Sequence, residues 1–226
     1  MSSEPAHRTK GRFVDLTVPW GPEVQPLEGH PRIRFRPITT HAVEGRSNTE
    51  VLFSIHTGTH IDSPYHFLPE ARTIDQVPLE RLIGPAILID LTAFGTPRHG
   101  ISLEEITGTG IRSEELVGYR VLLRTDWATR HYDQPDLYTE NPYLASDAAK
   151  WLAEAGIRAL GLDFAVDTAF PYPNHYIFLG REIPLIENLI HLGEIPTRRF
   201  TLLAMPLRVV GGDGGPARVA AWVEEA

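Results

Sequence analysis

The stretch IHTGTHIDSPYHF, residues 55–67, brings His56, His60, Asp62 and His66 within eleven positions of one another. Histidine occupies only ten of the 226 positions in the chain, so three in one short run indicate a chemical site rather than scattered polar residues. Imidazole nitrogens bind transition metals and exchange protons near neutral pH. The stretch therefore predicts a metal site, a set of acid–base groups, or both.

The spacing of His56 and His60 equals that of the two histidines in the helical zinc-binding pattern H-E-x-x-H. A helix is disfavoured here, because Gly58 and two β-branched threonines lie between the histidines. In an extended chain, alternate residues share one face, which places His56, His60 and Asp62 together. Four strand residues span about 13 Å, so the chain must bend for both imidazoles to reach one ion, and Gly58 permits that bend. We expect a strand that runs into a tight turn, with Pro64 ending its pairing.

Two imidazoles and a carboxylate form a common set of ligands for Zn²⁺, Mn²⁺ or Fe²⁺. His56, His60 and Asp62 are therefore the candidate ligands within this stretch. His66 lies beyond the proline, and its spacing leaves three roles open: a fourth ligand, an acid–base group, or neither.

A second, weaker signal lies in NHYIFLGREIPLIENL, residues 174–189. His175 and Glu187 flank an apolar run there, in a segment whose composition predicts burial. A buried carboxylate is costly unless it is paired or bound to a metal. The segment is thus a possible source of further ligands.

Composition limits the classes of function. The absence of cysteine removes disulfides, thiolate ligands and a cysteine nucleophile, so nitrogen and oxygen atoms must hold any metal. The formal net charge of −8 argues against nucleic acid or an anionic membrane as a partner. No apolar run approaches the roughly 20 residues that span a bilayer. Residues 1–10 lack the apolar segment of a secretory signal and are predicted to be a flexible tail, so we expect a cytoplasmic protein.

Runs rich in β-branched and aliphatic residues recur along the chain and outnumber the predicted helices. We therefore expect one α/β domain over residues 11–226, built on a mixed sheet. The predicted strands are Phe13–Val18, Ile33–Thr39, Val51–Ile55, Ala86–Leu91, Tyr119–Arg124, Ala159–Leu162 and Phe200–Val210.

Two helices and one turn carry clear end signals. Ser102 and Glu105 have the spacing of a capping box at the start of a helix. The segment SDAAKWLAEAG, residues 146–156, begins with a serine that can cap a helix and ends at Gly156, a typical stop. GGDGG at residues 211–215 lies between strand-like runs and predicts a turn rather than a phosphate-binding loop.

The run from His56 to His66 resembles the H-x-G-T-H-x-D-x-P-x-H signature of the bacterial kynurenine formamidase family, and every fixed residue is matched. This family is also called the cyclase family of metal-dependent hydrolases and includes isatin hydrolase. The resemblance extends over nearly the whole chain. Further matching stretches are DLT at 15–17, LLRTDW at 122–127, GIRALGLD at 156–163, NHYIFLGREIPLIENL at 174–189 and the closing hairpin LLAMPLRVVGGDGGPARVAA at 202–221.

The resemblance implies that His66 is the proton donor and acceptor of the reaction. It also implies the family's swivelling β/β/α form of the α/β fold and assembly as a homo-oligomer, a dimer or a tetramer. One or two divalent ions per chain are expected, with Zn²⁺ first and Mn²⁺ as the alternative. The ligands that it implies are His56, His60, Asp62, His175 and Glu187, with Asp62 bridging two ions and Glu187 touching both.

Two departures from the family pattern fall where substrate should bind. Formamidases carry an aromatic residue before Pro-Gly-Asp in the segment after the first strand, whereas residues 27–30 here are Leu-Glu-Gly-His. Trp20 lies close by and is the candidate replacement. The family's Asp-x-Pro-Ser-x-Asp stretch is Asp-Phe-Ala-Val-Asp at residues 163–167, so its serine is lost.

The function that the resemblance implies is hydrolysis of an aryl formamide, N-formylkynurenine to kynurenine and formate in tryptophan catabolism. Loss of the aromatic platform favours a first alternative, a related hydrolase that acts on a cyclic amide or lactone such as isatin. A second alternative is a metal-dependent binding protein that does not turn over its ligand.

Overall fold

A central eight-stranded sheet organises the chain, which the computed structural model describes over residues 10–224. The predicted tail lies outside this range except for Lys10. The strands in the described range are β1 (Gly11–Asp15), β2 (Arg34–Thr39), β3 (Asn48–Leu52), β4 (His60–Asp62), β5 (Ile83–Asp90), β6 (Gly100–Ile101), β7 (Arg120–Arg124), β8 (Tyr143–Leu144), β9 (Ala159–Leu162), β10 (Leu185–Glu187), β11 (Arg199–Pro206) and β12 (Gly214–Glu224). The α-helices in this range are α1 (His41–Glu44), α2 (Leu79–Leu82), α3 (Leu103–Gly108), α4 (Trp127–His131), α5 (Ser146–Glu154) and α6 (Pro173–Leu179).

Seven strands of the sheet close into a barrel in the order β12-β11-β5-β7-β9-β10-β4, because β4 pairs with β12 as well as with β10. The eighth strand, β1, pairs with the far part of β12. The pairs β5–β7, β7–β9 and β9–β10 are parallel, whereas β11 and β12 pair antiparallel with their neighbours. The predicted single α/β domain on a mixed sheet is confirmed.

The parallel strands β5, β7, β9 and β10 are buried on both faces, and their alternate residues enter two separate apolar clusters, whereas β11 and β12 bury one face only. On β5, Ile87 and Ile89 belong to the cluster that contains the buried side chains of α5. Ala86 and Leu88 belong to the other cluster, which draws its residues mainly from the barrel strands and fills the interior. This two-residue alternation follows from the pleat of a strand.

The helix signals are confirmed in part. Glu105 donates its backbone N–H to the hydroxyl of Ser102 at 3.2 Å and accepts the N–H of Ser102 at 2.8 Å, so the capping box begins α3 as predicted. The predicted cap of α5 was wrong: the capping position is Ala145, and Ser146 is already helical. Gly156 follows this helix with φ 74°, the left-handed conformation expected of its stop.

Two of the predicted strands stand apart from the barrel. β2 and β3 pair only with each other, as a largely exposed antiparallel hairpin. Arg36 and Glu50 face one another across it with a Nε–Oε2 distance of 2.6 Å. The hairpin precedes the signature stretch and leads the chain to the edge of the barrel.

In the stretch of residues 55–67, the turn and the strand occur in the opposite order along the chain to the order predicted. The turn comes first, around Gly58 with φ 68°, and the strand is confined to β4. Gly58 supplies the expected bend, because a left-handed φ is accessible to glycine without strain. Pro64 then opens a short 3₁₀ turn that ends at His66. Among the helices of residues 10–224, none combines the length and apolarity needed to cross a membrane.

Candidate metal centre

A polar site lies on strand β4, which closes the barrel by pairing with both β10 and β12. Its antiparallel pairing with β10 places Glu187 directly opposite His60, and Asp62 lies on the same face two residues further on. These three side chains are buried, with His60 2%, Asp62 1% and Glu187 7% exposed. Nε2 of His60 lies 3.2 Å from Oδ1 of Asp62 and 3.9 Å from Oε2 of Glu187. Pairing between distant strands thus brings two carboxylates to one imidazole.

Two further imidazoles reach these carboxylates from outside the barrel. His56, in the turn before β4, places Nδ1 2.8 Å from Oδ1 of Asp62. His175, on α6, places Nε2 3.8 Å from Oδ2 of Asp62 and 3.9 Å from Oε1 of Glu187. All five residues named as ligands from the sequence therefore meet around Asp62 and Glu187. Within the described residues, two triplets have ligand atoms within 4.8 Å of one another: His60, Asp62 and Glu187, and His56, Asp62 and His66.

Each of the three imidazoles has its second ring nitrogen held by an acceptor outside the ligand set. His60 Nδ1 lies 2.8 Å from the carbonyl oxygen of Gly58. His175 Nδ1 lies 2.8 Å from Oδ2 of Asp167, and His56 Nε2 lies 2.9 Å from Oδ2 of Asp213. Metal-binding histidines characteristically donate this second N–H to a carbonyl or carboxylate, which fixes the tautomer and the ring orientation.

A divalent cation fits this set of donors. Among residues 10–224, Oε1 of Glu187 has no hydrogen-bond partner although it is buried. Burial and the nearby Asp62 carboxylate raise the pKa of Glu187. The pKa of Asp62 is held well below its ordinary value, because the effect of burial is outweighed by the imidazoles of His60 and His56. Nitrogen and oxygen ligands without sulfur suit Zn²⁺, Mn²⁺ or Fe²⁺.

His66 lies beside this set rather than between the carboxylates. Its ring stacks on that of His56 with centroids 4.0 Å apart, and its Nδ1 is 3.8 Å from Oδ2 of Asp213. Burial lowers the pKa of His66 to about 4, and the imidazoles of His56 and His175 add to this shift. A neutral imidazole at neutral pH can accept a proton and later return it.

The site opens into a cavity of about 220 Å³. Imidazoles and carboxylates of the site line this cavity together with the rings of Phe67, Tyr138 and Tyr172 and with smaller residues. Trp20, the predicted substrate contact, is not among the lining residues of this cavity. Its indole packs on Phe53 with ring centroids 4.5 Å apart and donates Nε1–H to the carbonyl of Thr57 at 3.2 Å.

Two carboxylates of the site were not identified as functional from the sequence. Asp167 ends the Asp-Phe-Ala-Val-Asp stretch, which departs from the family pattern by the loss of its serine, and the sequence assigned Asp167 no role. Asp213 lies in GGDGG, which is a turn as predicted, and its side chain contacts His56. Glycines allow the backbone to approach a neighbouring segment closely, so an aspartate among four glycines could have marked this position.

Comparison with known proteins agrees with this geometry. The family described as "Putative cyclase" matches residues 14–168. A curated kynurenine formamidase from Bacillus anthracis is 28% identical over 214 residues, which cover 92% of this chain and 95% of that protein. The structure of isatin hydrolase A from Labrenzia aggregata superposes with a TM-score of 0.80 at 29% identity, covering 95% of this chain and 94% of that one. A protein described as a potential metal-dependent hydrolase with cyclase activity superposes with a TM-score of 0.78 at 28% identity, covering 96% of this chain and all of the other (100%).

The fold and the site define a metal-dependent hydrolase. The chain belongs to the putative cyclase family, whose match covers more than half of its length.

Proposed function

We propose that the protein is an arylformamidase, which hydrolyses N-formylkynurenine to kynurenine and formate. The observation that carries the proposal is Oε1 of buried Glu187, which has no hydrogen-bond partner within residues 10–224 and lies near the imidazoles of His60 and His175. The curated relative from Bacillus anthracis bears the name kynurenine formamidase, which supports the choice of substrate.

In the proposed site, His56, His60, Asp62, His175 and Glu187 hold the metal. A divalent ion supplies Lewis-acid activation of water and of the amide carbonyl. His66 takes a proton from the attacking water and delivers it to the departing nitrogen, without which the tetrahedral intermediate returns to substrate. The aromatic wall of the cavity excludes water from the reacting carbonyl and packs against the aryl group.

The finer assignments belong to the same proposal. We place the enzyme in the cytoplasm and in tryptophan catabolism, as a homodimer or tetramer of one domain over residues 11–226 with the swivelling β/β/α form of the fold. We expect one or two ions per chain, Zn²⁺ first and Mn²⁺ second. Trp20 remains a proposed substrate-binding residue, and its indole lies against the turn at Gly58 that joins His56 to His60.

A second candidate substrate is a cyclic amide such as isatin. The specific observation in its favour is the similarity to isatin hydrolase A at 29% identity over 95% of the chain. A cyclic amide presents the same carbonyl and nitrogen to His66, so the residues keep their proposed roles.

The test is hydrolysis of both substrates by protein stripped with a chelator and restored with Zn²⁺ or Mn²⁺ separately. We expect no turnover without metal and efficient turnover of N-formylkynurenine with it. Turnover of isatin alone would assign the second candidate. Stoichiometric metal with no turnover of any amide, ester or lactone would instead make the protein a metal-dependent binding protein.

A further inference from the structure

Asp213 contacts both of the stacked histidines from the turn that joins β11 to β12. Its Oδ2 lies 2.9 Å from Nε2 of His56 and 3.8 Å from Nδ1 of His66. The contact joins residues 157 positions apart in the chain. The Asp213 side chain is 42% exposed, so its carboxylate lies at the boundary between solvent and the buried site.

The backbone holds this turn against the site independently of the carboxylate. Ser63 donates both its N–H and its hydroxyl to the carbonyl oxygen of Asp213, at 3.0 and 2.8 Å. The next residue, Gly214, approaches so closely that a Cβ there would lie 2.7 Å from the carbonyl oxygen of Ile61 and 3.1 Å from Cε1 of His56. The side chain of Asp213 can therefore be changed while the main chain of the turn keeps its anchors.

The two ring nitrogens of His56 face two different carboxylates. Nδ1 faces the buried Asp62 and Nε2 faces the half-exposed Asp213. A neutral imidazole carries one proton, and only the unprotonated nitrogen can bind a metal. In the neutral ring, the nitrogen that donates its N–H to a carboxylate keeps the proton, and the other nitrogen has the free lone pair.

We propose that Asp213 is a positioning residue, which accepts a hydrogen bond from Nε2–H of His56 and thereby leaves the Nδ1 lone pair of His56 directed toward Asp62 and the metal. This inference rests on the proposed function only in taking His56 as a ligand. The equivalent acceptors of the other two imidazoles are a main-chain carbonyl for His60 and a buried aspartate for His175. Asp213 is the partly exposed acceptor among the three, and its replacement leaves no buried cavity.

The experiment measures the dissociation constants of Zn²⁺ and Mn²⁺ by chelator competition for the wild type, Asp213→Ala and Asp213→Asn. Loss of an outer hydrogen-bond partner typically weakens metal binding about 10- to 100-fold, and we expect this of Asp213→Ala. Asp213→Asn keeps an acceptor oxygen and should recover part of that loss. Thermal unfolding of the metal-free variants should match the wild type, because the anchors of the turn are main-chain atoms.

Asp136 offers a matched control. Its carboxylate is 43% exposed and lies 2.9 Å from Nδ1 of His131, which is outside the ligand set. Asp136→Asn should leave metal affinity unchanged.

Three results would overturn the inference. Wild-type affinity in Asp213→Ala, with binding lost in His56→Ala, would remove the role of Asp213 and leave the proposed function standing. Equal losses in Asp213→Asn and Asp213→Ala would rule out the hydrogen bond as the cause. Failure of the wild type to bind either metal would remove the proposed function and the inference together.

Discussion

The imidazole rings of His56 and His66 stack with centroids 4.0 Å apart and planes inclined by 24°. The pKa values of the two rings are shifted in opposite directions. Burial alone lowers the pKa of His56, but hydrogen bonds to Asp62 and Asp213 raise it to about 9. The pKa of His66 falls to about 4, because burial and the neighbouring imidazoles outweigh the attraction of the same carboxylates. At neutral pH the imidazole of His56 is therefore protonated by virtue of its two carboxylate partners, whereas the imidazole of His66 is neutral and has a nitrogen lone pair.

Replacement of His66 separates proton transfer from metal binding. We expect His66→Asn to lower kcat about 100- to 10,000-fold, the usual effect of removing a positioned acid–base group, because the imidazole of His66 adjoins the site and its lowered pKa leaves it neutral at neutral pH. The metal content should stay at the wild-type value, measured by elemental analysis after gel filtration. His99, which pairs with Glu105 at the start of α3, provides the control His99→Asn with unchanged kcat. Parallel loss of metal and activity in His66→Asn would make His66 a ligand instead.

The raised pKa of His56 predicts a pH dependence of metal binding. In the metal-free protein this imidazole carries a second proton below about pH 9, and a metal has to displace that second proton. Affinity should therefore rise with pH between 6 and 8, about tenfold per pH unit for each proton released. Chelator competition, corrected for protonation of the chelator, gives the slope. Calorimetry in buffers of different ionisation enthalpy counts the protons directly, and an affinity independent of pH would contradict the assignment of His56 as a ligand.

Local features of the site were predictable from the sequence because they depend on residues a few positions apart. The spacing of His56, His60 and Asp62 identified one set of candidate ligands, and the distance along an extended chain required the bend at Gly58. The order of turn and strand was missed, because β4 exists only through its pairing with β10 and β12. Strand pairing of this kind is a tertiary effect that local propensity does not contain.

The remainder of the site depends on contacts between distant parts of the chain. The position of Glu187 opposite His60 follows from the β4–β10 register, and that of Asp213 follows from closure of the barrel by β12. The sequence marked Glu187 only as a carboxylate in an apolar run. It predicted no partner for Asp213, since the histidine that Asp213 contacts, His56, lies 157 residues away. Resemblance to a family supplied the ligand set, but the acceptors behind the imidazoles required the fold.

The capping box of α3 predicts that replacing Ser102 by alanine destabilises the protein more than replacing Ser146 by alanine. Ser102 accepts the N–H of Glu105, and Ser102→Ala should lower the free energy of unfolding by about 1 kcal/mol. For a chain of this size, the melting temperature should fall by about 2–4 °C. Ser146, at the first turn of α5, makes no capping hydrogen bond, so Ser146→Ala is the control with a smaller change. Equal shifts in the two variants, measured by calorimetry, would show that the hydrogen bonds of the box contribute nothing.

Glu187 links metal binding to stability. Burial and the Asp62 carboxylate both oppose its charge in the metal-free protein, and its Oε1 has no hydrogen-bond partner among residues 10–224. Glu187→Gln removes that charge, so the metal-free variant should be as stable as the wild type or more stable.

Bound metal should stabilise the wild type by about 2.7 kcal/mol at a concentration one hundred times the dissociation constant. The variant should lose most of this gain at the same concentration. Glu154→Gln, at an exposed position of α5, should keep the full gain. Thermal unfolding with and without Zn²⁺ measures both effects. If Glu187→Gln is less stable than the wild type without metal and is still fully stabilised by Zn²⁺, Glu187 is a structural residue and not a ligand.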